Sequence, residues 1–127
     1  MSKKIINTTS APAPIGPYSQ AVQAGGFIFI SGQVAIDPIS GNLVLDSIEE
    51  ETNRVMLNLQ AVLKEAGSGF PDVVKSSIFL SDMAHFTIVN KVYSGFFEND
   101  FPARETIAVK TLPKSVNVEI SMTAFKG

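Results

Sequence analysis

In the segment FPARETIAV (101–109), Arg104 heads a run that otherwise reads as a buried strand, and in NVEISMTA (117–124) Glu119 interrupts another. A guanidinium at a strand mouth matches the two oxygens of a carboxylate with parallel charged hydrogen bonds, so Arg104 suits recognition of a small organic acid. A structural ion pair at a sheet edge would use the same residue equally well. In the second run Val118, Ile120, Met122 and Ala124 alternate with Asn117, Glu119, Ser121 and Thr123, which puts Glu119 on the polar side. There it either activates a water molecule or is simply solvated, and residue type alone leaves the two even.

Other chemistries find little support. The chain has no cysteine, which excludes thiol catalysis, disulfides and iron–sulfur ligation. His85 is its one histidine and reads as a cap or surface residue; the nitrogen and sulfur donors of a zinc site are missing. SGQVAIDPISG contains glycines but not the lysine and serine of a phosphate-cradling loop. With net charge -2 and scattered lysines and arginines, no basic track for nucleic acid is evident. The start, MSKKIINTTS, has no long apolar run before a cleavage-like site, and no window reaches membrane-spanning length. The expectation is a cytoplasmic chain of 127 residues forming one domain over 1–127, without metal, cofactor or membrane segment.

The elements that must position these side chains follow from pattern. KKIINT suits a short strand, and SAPAPIGP is a proline-constrained loop. Gly25 and Gly26 favour a tight turn between residues 18–24 and 27–34, which sets Gln20 opposite Ser31 and Tyr18 opposite Gln33 on one face. IDPISGN is a turn. SIEEETNRVMLNLQAVLKEAG predicts a helix, with Ser47 and Glu50 as a capping box, early glutamates at its positive end, Gly67 as its stop and a stripe of Ile48, Thr52, Val55, Leu59, Val62 and Ala66. DVVKSSIFLS predicts a strand. DMAHFTIVNKVYSGFFEND predicts a second helix capped by Asp82, with Phe86, Val89, Tyr93, Phe96 and Phe97 inward. RETIAVKTL and SVNVEISMTAF complete an α+β fold, a mixed sheet with both helices on one face. The other face lacks a cover, which points to oligomerisation. A direct hairpin of the last two strands would hold Glu119 near Ala108, roughly 13 Å from Arg104. Either those strands are not neighbours, or a site using both residues draws on two subunits, with Tyr18 and Ser31 completing it.

IGPYSQAV, ISGQ, VNKVYSGFF, FPARETIAV and LPKSVNVEI, in this order and at these spacings, resemble the RidA family of reactive imine deaminases over nearly the whole chain. The resemblance implies a chorismate-mutase-like fold, a compact homotrimer and active sites in clefts between subunits. It implies hydrolysis of 2-imino acids, such as 2-iminobutanoate and 2-iminopropanoate, to 2-keto acids and ammonia without a cofactor. The family's functional arginine falls on Arg104 and its water-directing glutamate on Glu119. Its substrate-lining positions fall on Tyr18, Ser31, Gly32 and Asn90. Many members carry cysteine two residues after the arginine. Here the position is Thr106, a departure that bears on pocket shape and oxidant sensitivity rather than on a mechanism that needs no thiol.

Three rival readings remain at this level. A non-catalytic module would bind or sense small carboxylates such as 2-keto acids through Arg104. RNA cleavage, a name attached to some relatives, is disfavoured by the charge balance. A purely structural or chaperone-like trimer leaves the polar side of the last strand unexplained.

Overall fold

The computed structural model describes residues 2–127. Gly25, at φ 59°, adopts the left-handed conformation that joins β2 (Ala21–Ala24) to β3 (Phe27–Gln33). Gly26 is needed for another reason: a Cβ there would lie 2.7 Å from the Phe125 ring. Ala21 stands opposite Ile30, and Ser31 N donates to Gln20 O at 2.9 Å, so Gln20 faces Ser31 as its spacing predicts. Tyr18 departs from expectation. It lies in the loop before β2 and does not pair with Gln33, because Pro14 and Pro17 deny that stretch a continuous ladder of amide donors.

The short β1 (Lys4–Ile6) pairs with β2, and β6 (Val118–Phe125) inserts between β3 and β4 (Val73–Leu80). β5 (Ala103–Ala108) lies parallel to β4 at the edge, giving a six-stranded mixed sheet in the order β1-β2-β3-β6-β4-β5. The last two strands in sequence are thus separated by β4, and the direct hairpin does not form. Residues 113–115 make a 3-10 turn instead, with Lys114 and Ser115 both in the left-handed region.

Helix α1 (Ile48–Glu65) follows the predicted stripe, with Thr52, Val55, Leu59 and Val62 fully buried and Ile48 and Ala66 at the core margin. Ser47 Oγ accepts from Glu50 N at 3.0 Å, and Gly67, at φ 74°, turns the chain out of the helix. Met56 and Leu63 widen the apolar face against β3 and β6, and each fully buried aliphatic side chain contributes about 2 kcal/mol.

Helix α2 (Phe86–Ser94) is shorter than its pattern predicts. Asp82 caps a preceding 3-10 turn, Met83–His85, by accepting from Ala84 N at 2.8 Å. His85 is half-buried and makes no side-chain cap to α2. Beyond the helix, Phe96 and Phe97 still pack edge-on to Phe70, at 5.4 and 5.3 Å between ring centres. Phe86 is half-buried against the core, while Val89 and Tyr93 are buried in it.

Both helices cover one face of the sheet. The other leaves Ile5, Phe27, Phe29, Ile107 and Phe125 each 43–51% exposed. Among the described residues no helix is long and apolar enough to cross a membrane.

Candidate active site

Register places Arg104 opposite Ser76 on β4, and Ser76 opposite Met122 on β6; both partners are buried beneath the helices. Arg104 therefore lies on the helix side of the edge strand. Its Nη1 donates to Asn90 Oδ1 at 2.8 Å, and its Cζ stands 5.1 Å from the Tyr93 ring centre and 5.8 Å from that of Phe86. Tyr93 is fixed in turn by donating to Ser76 Oγ at 2.9 Å. Burial raises the Tyr93 phenol above its ordinary pKa, against the opposing effects of the Ser76 hydrogen bond and the Arg104 charge, so it stays a neutral donor. The ion pair found among the described residues is Lys75–Glu105, at 2.9 Å on the open face. The sheet-edge ion pair considered for Arg104 does not form.

Arg104, Asn90, Tyr93, Ser94, Phe101 and Pro102 line a cleft of about 450 Å³. Thr106, two residues along on the same side, carries a buried hydroxyl without a hydrogen-bond partner. Such a group costs about 1–3 kcal/mol when left unmatched. The seat of the guanidinium is only partly legible in sequence: the motifs point to Asn90, whereas Phe86 and Tyr93 read as core alone. Their i, i+4, i+7 spacing with Asn90 is the signal that brings all three to one side of α2.

Glu119 lies in a different cavity. It stands opposite Phe79, which stands opposite Ile107, a row on the open face between residues buried toward the helices. Tyr18, Gln20, Ser31, Gly32, Lys114 and Glu119 line a hollow of about 530 Å³. Gly32 makes room for the carboxylate: a Cβ built there would lie 2.6 Å from Glu119 Oε2. The register shift between Ile30 and Gln33 is a bulge that brings Gly32 to this point. Burial raises the Glu119 carboxyl above the ordinary carboxylate pKa.

Gln20 anchors the proline loop to this hollow. Its Oε1 accepts from Thr8 N at 2.7 Å, and its Nε2 donates to Pro12 O at 2.8 Å. Ser31 Oγ donates to Ser19 O at 2.6 Å, which commits its proton within the chain and leaves the oxygen as an acceptor toward the hollow. Tyr18, although outside the strand, reaches the same hollow and is half exposed.

Arg104 and Glu119 do not meet within one chain. Their positions are offset by three residues and two strand spacings, about 14 Å, and they project from opposite faces of the sheet. The sheet brings Arg104, Asn90 and Thr106 together on one side and Tyr18, Ser31, Gly32 and Glu119 on the other. Among the described residues, no group of three His, Asp or Glu side chains is arranged to hold a metal ion.

The family model described as Endoribonuclease L-PSP matches residues 8–126. The mouse 2-iminobutanoate/2-iminopropanoate deaminase is 47% identical over 125 residues, covering 98% of this chain and 93% of that protein. A solved putative endoribonuclease from Thermotoga maritima superposes with a TM-score of 0.95 at 47% identity and 98% coverage of each chain. Escherichia coli TdcF with bound serine superposes with a TM-score of 0.93 at 35% identity, over 98% of this chain and 99% of that one. Sequence motifs, sheet order and near-complete coverage agree: the chain belongs to the Endoribonuclease L-PSP family, the RidA/YjgF proteins.

Proposed function

We propose that the protein hydrolyses small 2-imino acids, 2-iminobutanoate and 2-iminopropanoate among them, to 2-keto acids and ammonia. The observation that carries this reading is Arg104: a half-buried guanidinium, oriented by Asn90 and two rings, with no carboxylate partner among the described residues, facing a cleft. A substrate carboxylate completes its coordination. The 47% identity to the mouse deaminase supports the reaction, and serine bound to TdcF supports a ligand of amino-acid size.

Because Arg104 and Glu119 lie on opposite faces, one working site takes them from two copies. A homotrimer closed through the exposed sheet face supplies such clefts. Arg104 and Asn90 hold the carboxylate end of the imine, Thr106 with its buried hydroxyl backs the strand beside Arg104, and Tyr18 walls the other side. Glu119 of the adjoining copy orients a water over Gly32 and accepts its proton. The water oxygen bonds to the C=N carbon, and the π pair moves to nitrogen to give a carbinolamine. With the imine entering protonated, Glu119 returns the proton to the carbinolamine nitrogen, the C–N bond breaks with its electron pair leaving on ammonia, and Glu119 takes the hydroxyl proton as C=O forms. One imine and one water become one keto acid and one ammonia. A protonated imine is already electrophilic, so positioning and charge suffice.

The test follows 2-ketobutyrate released when threonine dehydratase acts on threonine, with buffer conditions that keep spontaneous imine hydrolysis slow. The wild-type protein accelerates its appearance, whereas Arg104→Ala lowers kcat/KM at least about 100-fold with assembly retained. Equal rates with and without assembled wild-type protein would favour a binding module instead.

A further inference from the structure

Glu51, in the first turn of α1, is fully buried, although its place among Glu49, Glu50 and Glu51 suggests a solvated helix start. Among the described residues no cation pairs with it. Its Oε2 accepts from Asn117 N at 2.8 Å and Val118 N at 3.0 Å, and its Oε1 accepts from Asn117 Nδ2 at 2.9 Å. The end of β4 holds the same residue: Ser81 Oγ donates to Asn117 Oδ1 and Ser81 N to Asn117 O, both at 3.0 Å. Every polar group of Asn117 is thus occupied, two residues before Glu119.

We propose that Glu51 is the positioning residue for Glu119, fixing from inside the core where β6 begins. Lys114 and Ser115, just upstream, are consecutive non-glycine residues at φ 58° and 55°. Such residues cost about 1–3 kcal/mol each and persist only where their surroundings over-determine the backbone. The Glu51 carboxylate supplies that constraint directly after them. Glu119 has little tolerance for a shift, because its carboxylate occupies the space left by the missing Cβ of Gly32. Asn58, two turns further along α1, holds the opposite rim by donating to Val34 O at 3.1 Å and Ile36 O at 3.0 Å. One helix face therefore spans the Glu119 hollow from beneath.

The inference rests on the reading that Glu119 directs water, and the experiment separates the two. Imine hydrolysis is measured for wild type, Glu119→Gln, Glu51→Asp, Glu51→Gln and Val55→Ala, together with NMR titration of the Glu119 carboxyl. Glu119 shares its hollow with two other titratable groups, Tyr18 and Lys114, which all the Glu51 variants retain. Glu51→Asp withdraws the carboxylate by one methylene, and displacement on the order of 1 Å lowers kcat at least about tenfold with KM within about twofold. The Glu119 titration moves with it. Glu51→Gln restores most of that rate. The substituted side chain keeps its length, and the Asn117 amide can turn over, accepting from the new amide and donating to Ser81 Oγ. Val55→Ala, a core truncation on the same helix, lowers Tm but leaves kcat and the titration in place.

A Glu51→Asp protein with kcat and titration unchanged overturns the proposal, as does a Val55→Ala protein that loses kcat in parallel with it. Should Glu51→Asp fail to fold, Asn117→Ala replaces it: a fall in kcat of about threefold or more supports the inference, and an unchanged kcat contradicts it. An inactive wild type, or a fully active Glu119→Gln, would instead refute the reading of Glu119 itself.

Discussion

Glu119 is a carboxylate whose environment works against its charge, and that has two consequences of opposite sign. The proposed water-directing role needs the ionised form, so activity falls as pH drops through a value above the ordinary carboxylate range. Stability runs the other way. The folded carboxyl binds its proton more tightly than the unfolded one, so its contribution is most favourable below the unfolded pKa and is lost as pH rises through the folded pKa. Glu119→Gln is accordingly expected to lose turnover while unfolding at a higher urea concentration than wild type above that window, with the difference vanishing below it. Gly32 allows a second test at this scale. Gly32→Ala puts a methyl 2.6 Å from Glu119 Oε2, and because the obstructed group is the end of a flexible side chain, the fold survives while the carboxylate moves. The expected result is a kcat lowered on the order of tenfold to 100-fold with near-normal Tm, read by steady-state kinetics and thermal melting.

Among the elements, α1 supplies Glu51 and Asn58, whose hydrogen bonds hold the backbone on either side of the Glu119 hollow. Its N-terminal cap is a single hydrogen bond from Glu50 N to Ser47 Oγ, so Ser47→Ala costs about 1 kcal/mol in urea unfolding without altering the chemistry. This helix is also the most legible element: capping serine, stop glycine and apolar stripe are all local signals that the structure follows, although of the expected capping box only the Glu50 N to Ser47 Oγ half forms. The position of β6 between β3 and β4 is not legible, since strand order is settled by long-range packing and a two-residue gap at Pro113 and Lys114 imitates a hairpin. The left-handed Lys114 and Ser115 are what turn the chain away from that hairpin. Glu51 is hidden for a related reason. Its burial depends on Asn117 and Val118, 66 and 67 residues later, and no local pattern distinguishes it from Glu49 and Glu50. Arg104, Asn90 and Thr106 are legible as a group through motif resemblance, but the side of the sheet they occupy is not, because β5 pairs with β4 rather than with β6.

For the whole molecule, the opposite orientations of Arg104 and Glu119 and the exposed apolar row on the open face support the proposed account, in which chemistry is completed between copies. An Ile5, Phe27, Phe29, Ile107 and Phe125 surface, each residue 43–51% exposed, is costly for an isolated chain and suits burial against its like. The most direct measurement mixes Arg104→Ala and Glu119→Gln chains in equal amounts, unfolds and refolds them together, and assays imine hydrolysis beside each variant alone. Each variant alone is inactive under the proposed mechanism. If every cleft takes its arginine from one chain and its glutamate from another, random assembly restores both wild-type groups in about one quarter of clefts, and the mixture recovers about one quarter of wild-type activity. Recovery at that level is the predicted result; a co-refolded, assembled mixture as inactive as its components would contradict a site shared between subunits.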